Sequence, residues 1–352
     1  MSIVYQTLTV SEIRNWLELG KNDSILDHAI SRTRANALAH CPYVKDDDVL
    51  VVTAMDGEKV VGYTAIFPEK LVRPEMWIAT GTTLWVNPDY ADEFVGYNLV
   101  QRLWQAYPHC AVIGSDVAKP AAMIDKLLGA KITKYERKSF VLNRHIEVRS
   151  LRNVASYVLE PFRKTVQRKA LHNVYASIPS DMRVVAREYI DAEAYAFIQS
   201  HSENDIFLRS REMLNWILQY PFNVENPLSD RQGHCGAFLG QTKIYRNYLL
   251  YLYRSAELIG IVLLAQRGTE MHVKMLYVDE SYRQSVYALI VEAAVNSGAE
   301  QLFSLYPGLN GYIAATHVAL RANNRDFLFT YPKTMNIPQP LVLQGIEGDM
   351  FA

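Results

Sequence analysis

The sequence predicts an α/β fold, in which helices pack on a mixed (α+β) sheet and the arrangement occurs twice. Three observations predict it. Helical and strand-like stretches alternate along the chain. The stretch "LWVNPDYADEFVGYNL" at 84–99 returns as "LYVDESYRQSVYAL" at 276–289, so that Leu84, Trp85, Val86, Tyr90 and Gly96 match Leu276, Tyr277, Val278, Tyr282 and Ala288, each 192 positions later. A hairpin pattern with a central glycine precedes each copy, "VVGYT" in the first and "LIGIV" in the second. A chain of 352 residues is long enough to bury two cores.

The elements follow in order. "TVSE" sets Thr9 and Glu12 at capping-box spacing, with Ile13, Trp16 and Leu17 at helical intervals. A second helix is expected from Ser24 to about Ala39. "DVLVVTAMDGEKVVGYTAIF" alternates around Asp56-Gly57, a hairpin signal. "MWIATGTTLWV" is a strand that enters the repeated motif, and the helix after it carries Val95, Leu99, Val100, Leu103 and Trp104 on one stripe. "CAVIGSDV" reads as a short buried strand, "AAMIDKLLG" as a helix stopped by Gly129, and "ERKSFVLNR" as a strand.

From Arg183 the order is echoed. "MRVVAREYI" is a strand, "REMLNWILQYP" a helix and "YLLYLYRSAELIGIVLLAQ" a hairpin. "HVKMLYV" leads into the second copy, whose helix places Val286, Leu289, Ile290 and Ala293 on one face; "QLFSLYP" and "DFLFTYP" are later strands. The expected organisation is therefore a domain over 1–150, a linker over 151–182 and a domain over 183–352. The stretch "EPFRKTVQRKALHNVYASIPS", basic at Arg163, Lys164, Arg168 and Lys169, reads as a solvated linker helix, with a partner-binding or nucleic-acid-binding helix as the alternative.

Composition narrows the function. Hydrophobic residues at 49% and charged residues at 21% are ordinary for a globular protein, and a net charge of −1 leaves no electrostatic footprint for nucleic acid or an anionic membrane. Cys41, Cys110 and Cys235 show neither zinc spacing nor a disulfide framework, which suits a reducing cytoplasm, and "MSIVYQTLTV" lacks a secretory pattern. No apolar run has the length of a membrane helix. There is no G-x-S-x-G, no G-x-x-x-x-G-K-[ST] and no H-E-x-x-H, so serine hydrolase, P-loop and zincin chemistry are not expected, and neither is a metal.

The repeated turn has a physical use. A strand that runs directly into a helix presents free N–H groups and the positive end of the helix dipole at one point, which suits a phosphate or pyrophosphate. The same turn in any α/β unit also serves as a plain connection.

The element order and this turn resemble the GNAT acetyltransferase superfamily, as two tandem GNAT-like domains over most of the chain. In that family the turn reads "V-x-P-x-x-R-G-x-G-x-G/A" and its N–H groups hold the pyrophosphate of coenzyme A. In the first copy Val86, Pro88, Tyr90 and Gly96 fit, while Ala91, Asp92 and Phe94 replace the Arg, first Gly and middle Gly. In the second copy Val278, Tyr282, Arg283 and Ala288 fit, while Glu280 and Val286 replace the Pro and middle Gly. N–H donation at Phe94 and Val286 is compatible with their side chains if φ stays negative.

The resemblance implies acetyl-CoA as co-substrate, direct attack of an amine on the thioester, and a small-molecule amine as acceptor. It implies that Leu84, Trp85 and Val86 hold the pantetheine arm and that Phe94, Val95, Gly96 and Tyr97 hold the pyrophosphate. Ser115 and Asp116, expected where the cleft opens at the end of the fifth strand, are the candidate catalytic pair; the alternative is that they cap the following helix. The family's general-acid tyrosine falls on Asp125 in the first half and on His317 in the second. An ionised Asp125 has no proton to give a thiolate, unless burial raises its pKa. The first half keeps Pro88, Gly96 and Gly129, so it is the half expected to bind coenzyme A. "MLNWILQYPF" resembles tandem GNAT proteins associated with surface polysaccharides, which implies an amino-sugar acceptor. The expected assembly is a homodimer, and the rival function is a non-catalytic GNAT-fold binding or dimerisation protein.

Overall fold

The computed structural model describes residues 3–19, 30–143, 151–227, 241–335 and 342–345. The elements of the first half are β1 (Val4–Thr9), α1 (Val10–Leu19), α2 (Arg32–Ala39), β2 (Val49–Asp56), β3 (Lys59–Arg73), β4 (Met76–Val86), a 3-10 turn (Pro88–Glu93), α3 (Val95–Ala106), β5 (Ala111–Gly114), α4 (Lys119–Leu127) and β6 (Ala130–Val141). Then come α5 (Leu151–Ala176), β7 (Met182–Arg187), α6 (Ala192–His201), β8 (Leu208–Arg209), α7 (Arg211–Gln219), β9 (Val224–Glu225), β10 (Gln241–Thr242), β11 (Tyr245–Arg254), β12 (Glu257–Arg267) and β13 (Glu270–Val278). A second 3-10 turn (Glu280–Tyr282), α8 (Arg283–Asn296), β14 (Gln301–Ser304), α9 (Pro307–Thr316) and β15 (Arg321–Pro332) complete it.

Local signals explain much of this. Thr9 and Glu12 form the capping box: Glu12 N–H donates to Thr9 Oγ1 at 3.4 Å, and Thr9 N–H donates to Glu12 Oε2 at 2.7 Å. Residues before it form an edge strand that the sequence reading missed. The helix expected from Ser24 begins at Arg32 in the described residues, capped by Ser31, whose side chain accepts from Arg34 N–H; 20–29 lie outside them. Gly57 takes φ +59 in the β2–β3 turn, where a side chain would be strained.

Thirteen described strands form one sheet, in the order β1-β2-β3-β4-β5-β15-β6-β14-β13-β12-β11-β7, with β8 added on β3. Read from its two ends, this order matches each strand of one half with its counterpart in the other, and the motif strands β4 and β13 hold equivalent places. The halves do not form separate sheets. β15 lies between β5 and β6, paired with β6 from Arg321↔Val141 to Pro332↔Ala130, and β6 pairs on its other side with β14. Each half's last strand therefore extends the other half's ladder.

The cores are shared as well. One cluster joins Val10, Ile13 and Leu38 to Met213, Trp216 and Ile217, and Trp216 Nε1 donates to the carbonyl of Ala37 at 2.9 Å. A second cluster gathers Val286, Ile290 and Ala294 of α8 with Leu302, Leu309 and Ile313. The helix expected as a solvated linker packs there through Val174, and its Gln167 side chain donates to the carbonyls of Leu142 and Val318. No helix of the described residues is long and apolar enough to cross a membrane.

Candidate functional site

The site forms where β4 and β5 part. These parallel strands pair only from Ile78↔Ala111 to Gly81↔Gly114, after which β4 runs on to Val86 paired with β3 alone. On its other edge β4 carries a bulge: Thr64 faces Leu84 and Ala65 faces Thr82, leaving Thr83 as the extra residue. Thr83 adopts φ +59, a left-handed conformation uncommon for a β-branched residue, and Arg34 Nη1 donates to its Oγ1. Beside the bulge lies a cavity of about 310 Å³, lined by Thr80–Leu84 of β4, Val100 and Trp104 of α3, and Val112 of β5. Ser115, Asp116, Asp125 and Thr330 line it as well.

The predicted residues divide. Leu84 lines the cavity. Trp85 points to the other face, stacked on Tyr63 with ring centroids 5.5 Å apart, as strand alternation requires. Val86 packs toward α3. Val95 is fully buried, and a Cβ built on Gly62 would stand 2.9 Å from its Cγ1, so only its backbone is placed to serve a ligand. Gly96 is buried against α4: an added Cβ would meet Ile124 Cδ1 at 3.1 Å and Val86 Cγ2 at 3.4 Å. Tyr97 is half-buried in the first turn of α3.

Phe94 does not keep the negative φ on which its N–H donation depends. Its φ is +55 and its residue surface is 74% exposed. The turn into α3 demands a left-handed residue, the reason a glycine suits this place, and here a Phe takes it. Val286 instead lies inside α8, fully buried. α3 starts without a side-chain cap, so its first N–H groups compete with no capping side chain. Asp89, Asp92 and Glu93 crowd the same turn with negative charge.

The repeated tyrosines have a structural task. Tyr90 OH donates to Asp56 Oδ2 at 2.7 Å, and Arg254 lies 5.3 Å over the Tyr282 ring. Each tyrosine thus ties its turn to the tip of the preceding hairpin.

Ser115 and Asp116 both line the cavity, yet neither caps α4, whose N-cap is Ala118 without a side-chain bond. Asp116 sits at φ +51 and accepts from Arg137 Nη1 in a partly buried ion pair. Asp125 is a half-buried carboxyl of the site. Burial pushes its pKa up to about 6, against a hydrogen bond from Thr330 Oγ1 at 2.7 Å. His317, its counterpart by resemblance, is exposed at the left-handed C-cap of α9. Sequence reasoning missed Arg34 and Thr330, which reach the cavity from distant segments and carry no motif.

The corresponding place in the second half is filled. β13 and β14 pair from Glu270↔Gln301 to His272↔Phe303, and Lys274 is the extra residue of a bulge between β12 and β13. Into this gap the chain inserts its own Gln344 and Gly345. Gln344 is buried; its Oε1 accepts from Leu276 N–H at 3.3 Å and from Tyr306 OH, and its Nε2 donates to Asp205 Oδ1 at 2.9 Å. Gly345 N–H donates to Tyr306 OH at 3.2 Å, and an added Cβ would lie 2.0 Å from the Val273 carbonyl oxygen. Leu276 is the repeat partner of Leu84, so a side-chain amide takes up the backbone N–H whose counterpart borders the open cavity.

No group of three or more His, Cys, Asp or Glu able to hold a metal occurs among the described residues. No protein-family model and no curated protein matches the chain. In structure it is similar to a GCN5-related N-acetyltransferase from Kribbella flavida (TM-score 0.51, 14% identity, 93% of this chain and 70% of that one). It is also similar to a Pyrococcus horikoshii protein described as an acetyltransferase (TM-score 0.51, 11% identity, 97% and 93%). A third similar structure is the GCN5-related glucosamine N-acetyltransferase region of a fungal multi-domain β-N-acetylglucosaminidase (TM-score 0.50, 10% identity, 94% and 38%). With a bulged β4 parting from β5 and a helix-led turn behind it, the chain has the fold of the GCN5-related N-acetyltransferases, the GNAT superfamily.

Proposed function

We propose that the chain is an acyl-CoA-dependent N-acyltransferase, made of two tandem GNAT-like halves (1–150 and 183–352, joined by 151–182), that moves an acetyl group to a small-molecule amine. The observation that carries this reading is the cavity between the parted β4 and β5 beside the Thr83 bulge, open in the first half and filled by Gln344 in the second. Only the first half is read as binding the acyl-CoA.

The residues fit the arm of that substrate better than its charged end. Leu84, Val100, Trp104 and Val112 give the cavity apolar walls, and the threonines at 80, 82 and 83 supply hydroxyls. Backbone N–H groups of Val95–Tyr97, in the first turn of α3, would take the pyrophosphate, while Phe94 at φ +55 does not meet the condition for its own donation. Bound acetyl-CoA supplies an activated acyl carbon on a thiol leaving group. Ser115 and Asp116 line the side toward which an acceptor amine would enter, and Asp116, held by Arg137, offers an ammonium group a fixed negative charge. An amino sugar is the narrower acceptor class, suggested by the fungal glucosamine N-acetyltransferase region of similar fold.

A second reading, a GNAT fold kept as a non-catalytic binding module, is favoured by one feature: Asp89, Asp92 and Glu93 surround the turn, and Phe94 stands in for its glycine. The test measures acetyl-CoA binding and amine-dependent thiol release on a panel of amines that includes glucosamine. Binding with thiol release supports the enzyme, binding without release on any amine supports the module, and no binding defeats the acyl-CoA reading.

A further inference from the structure

A basic cluster extends from the cavity wall across the middle of the sheet. Arg137 of β6 and Arg325 of β15 are registered directly opposite each other, so both side chains leave the same face. Both guanidiniums lie over the ring of Phe303 on β14, Arg325 at 5.1 Å from its centroid and Arg137 at 5.9 Å. His272 of β13 stacks on the same ring at 4.6 Å. Arg137 also holds Asp116, which lines the cavity, so cluster and cavity adjoin.

Like charges directly opposite on a sheet repel and cost stability. Asp116 answers Arg137, whereas Arg325, which is exposed, makes no ion pair among the described residues. Glu270, a second acid of this face, lies 3.4 Å from His272 Nε2; that contact is the main cause of its lowered pKa, and Arg325 is a lesser one. His272 is pushed down by burial first, and Lys274 and Arg137 add to this in spite of the Glu270 carboxylate. Arg137 Nε and the Oγ of Ser139, fully buried two residues further along β6, have no hydrogen-bond partner among the described residues. The face therefore holds more donors and more positive charge than its own acids take up.

We propose, on the acyl-transfer reading, that the acceptor is an acidic amine, whose nitrogen stands beside Asp116 and whose oxyanion, a phosphate or carboxylate, is received by Arg325 and Arg137 beside the Phe303 ring. The two guanidiniums then face an anion instead of only each other. A guanidinium fork matches either oxyanion with paired N–H donors, and stacking on an aromatic ring fixes its plane. Arg325 is exposed and Arg137 partly so, which leaves both within reach of an incoming group. One substrate is thus oriented by charge: its ammonium end is drawn to Asp116 and its acidic end away from it.

Titration calorimetry, with and without free coenzyme A, reads the acidic end by itself. The ligands are glucosamine 6-phosphate against glucosamine, and 2-aminoethyl phosphate and β-alanine against ethanolamine. The proteins are the parent, Arg325→Gln, Arg325→Lys and Lys134→Gln, the last a cation on the opposite face of β6. The parent should bind an acidic amine about tenfold or more tightly than its neutral counterpart, the scale of a charge-assisted hydrogen bond. Arg325→Gln should abolish that margin, Arg325→Lys should keep part of it, and Lys134→Gln should leave it intact. A margin confined to the phosphates identifies phosphate, one confined to β-alanine identifies carboxylate, and either supports the proposal. No margin for any acidic amine, or one unchanged in Arg325→Gln, overturns it. Amine-dependent thiol release from acetyl-CoA tests the underlying reading separately. Release with neutral amines and no acidic margin defeats the acidic acceptor alone, whereas a margin with no release on any amine defeats the acyl-transfer reading and the acceptor role with it.

Discussion

Thr330 and Asp125 stand 205 residues apart in sequence and meet through a 2.7 Å hydrogen bond. They meet because β15 is threaded between β5 and β6, which brings the second half's last strand to the wall of the first half's cavity. The second half, its own gap filled by Gln344, thus contributes to the site in the first.

Burial of Asp125 makes stability depend on pH in a defined direction. A carboxyl whose native pKa, here about 6, lies above its unfolded value near 3.8 binds its proton more tightly when folded. Its burial therefore favours the native state below the unfolded pKa, and that contribution is lost as pH rises through the native one. Asp205, also pushed up to about 6 by burial, acts in the same sense. Asp125→Asn should stabilise the protein at pH 8 by about 1–3 kcal/mol. The gain should vanish by about pH 4. Urea unfolding at both pH values checks this, and a gain at pH 4 equal to that at pH 8 would refute it.

The two hairpin glycines make the same close approach. A Cβ on Gly62 would lie 3.2 Å from the carbonyl oxygen of Trp85, and one on Gly260 would lie 3.3 Å from that of Tyr277, the residue 192 positions after Trp85. Valine at either position should cost about 1–3 kcal/mol by overpacking. Gly62→Ala should cost more than Gly260→Ala, since Val95 Cγ1 is only 2.9 Å from the added carbon whereas Leu252 Cδ1 is 3.2 Å from its own. Chemical denaturation of the two alanine variants decides the order; the reverse order would count against the packing argument.

Glu69 of β3 and Arg209 of β8 join the halves through a buried two-pronged ion pair, with both contacts at 2.8 Å, and Thr80 Oγ1 donates to Glu69 Oε1 at 3.2 Å. Arg209→Met leaves a carboxylate buried beside the cavity and should cost about 3–5 kcal/mol. The double variant Glu69→Leu/Arg209→Met should be more stable than Arg209→Met alone, because no charge is left unmatched. Equal or lower stability of the double variant would show that the pair's worth lies in other contacts.

Much of the fold was legible because its signals are local. The Asp56-Gly57 turn, the Thr9–Glu12 capping box and the stripe from Val95 to Leu103 each depend on residues within a few turns of one another. The same holds for β4, its turn and α3, and for their repeat. The exchange of β6 and β15 was not legible, since alternation marks a strand without naming its neighbour. Among the residues lining the cavity, Leu84, Ser115 and Asp116 were named from sequence because they fall near strand ends, where the order of elements places a cleft. Arg34, Thr330 and Gln344 were not found, because each arrives through tertiary contact alone. N–H donation at Phe94 was tied to a negative φ, and the turn's demand for a left-handed residue overrode the side-chain preference on which that condition rested.

The central claim is that one half holds an open acyl-CoA site and the other has filled its own. Calorimetric titration of acetyl-CoA into the parent and Gly81→Trp tests it most directly. Gly81 lines the cavity, and an added Cβ would meet only the Ile113 carbonyl oxygen, at 3.5 Å, so the indole would extend into the space the ligand needs. The account predicts one acetyl-CoA per parent chain and at least tenfold weaker binding to Gly81→Trp, or about 1.4 kcal/mol. Two molecules per chain, none, or unchanged affinity in Gly81→Trp would contradict it.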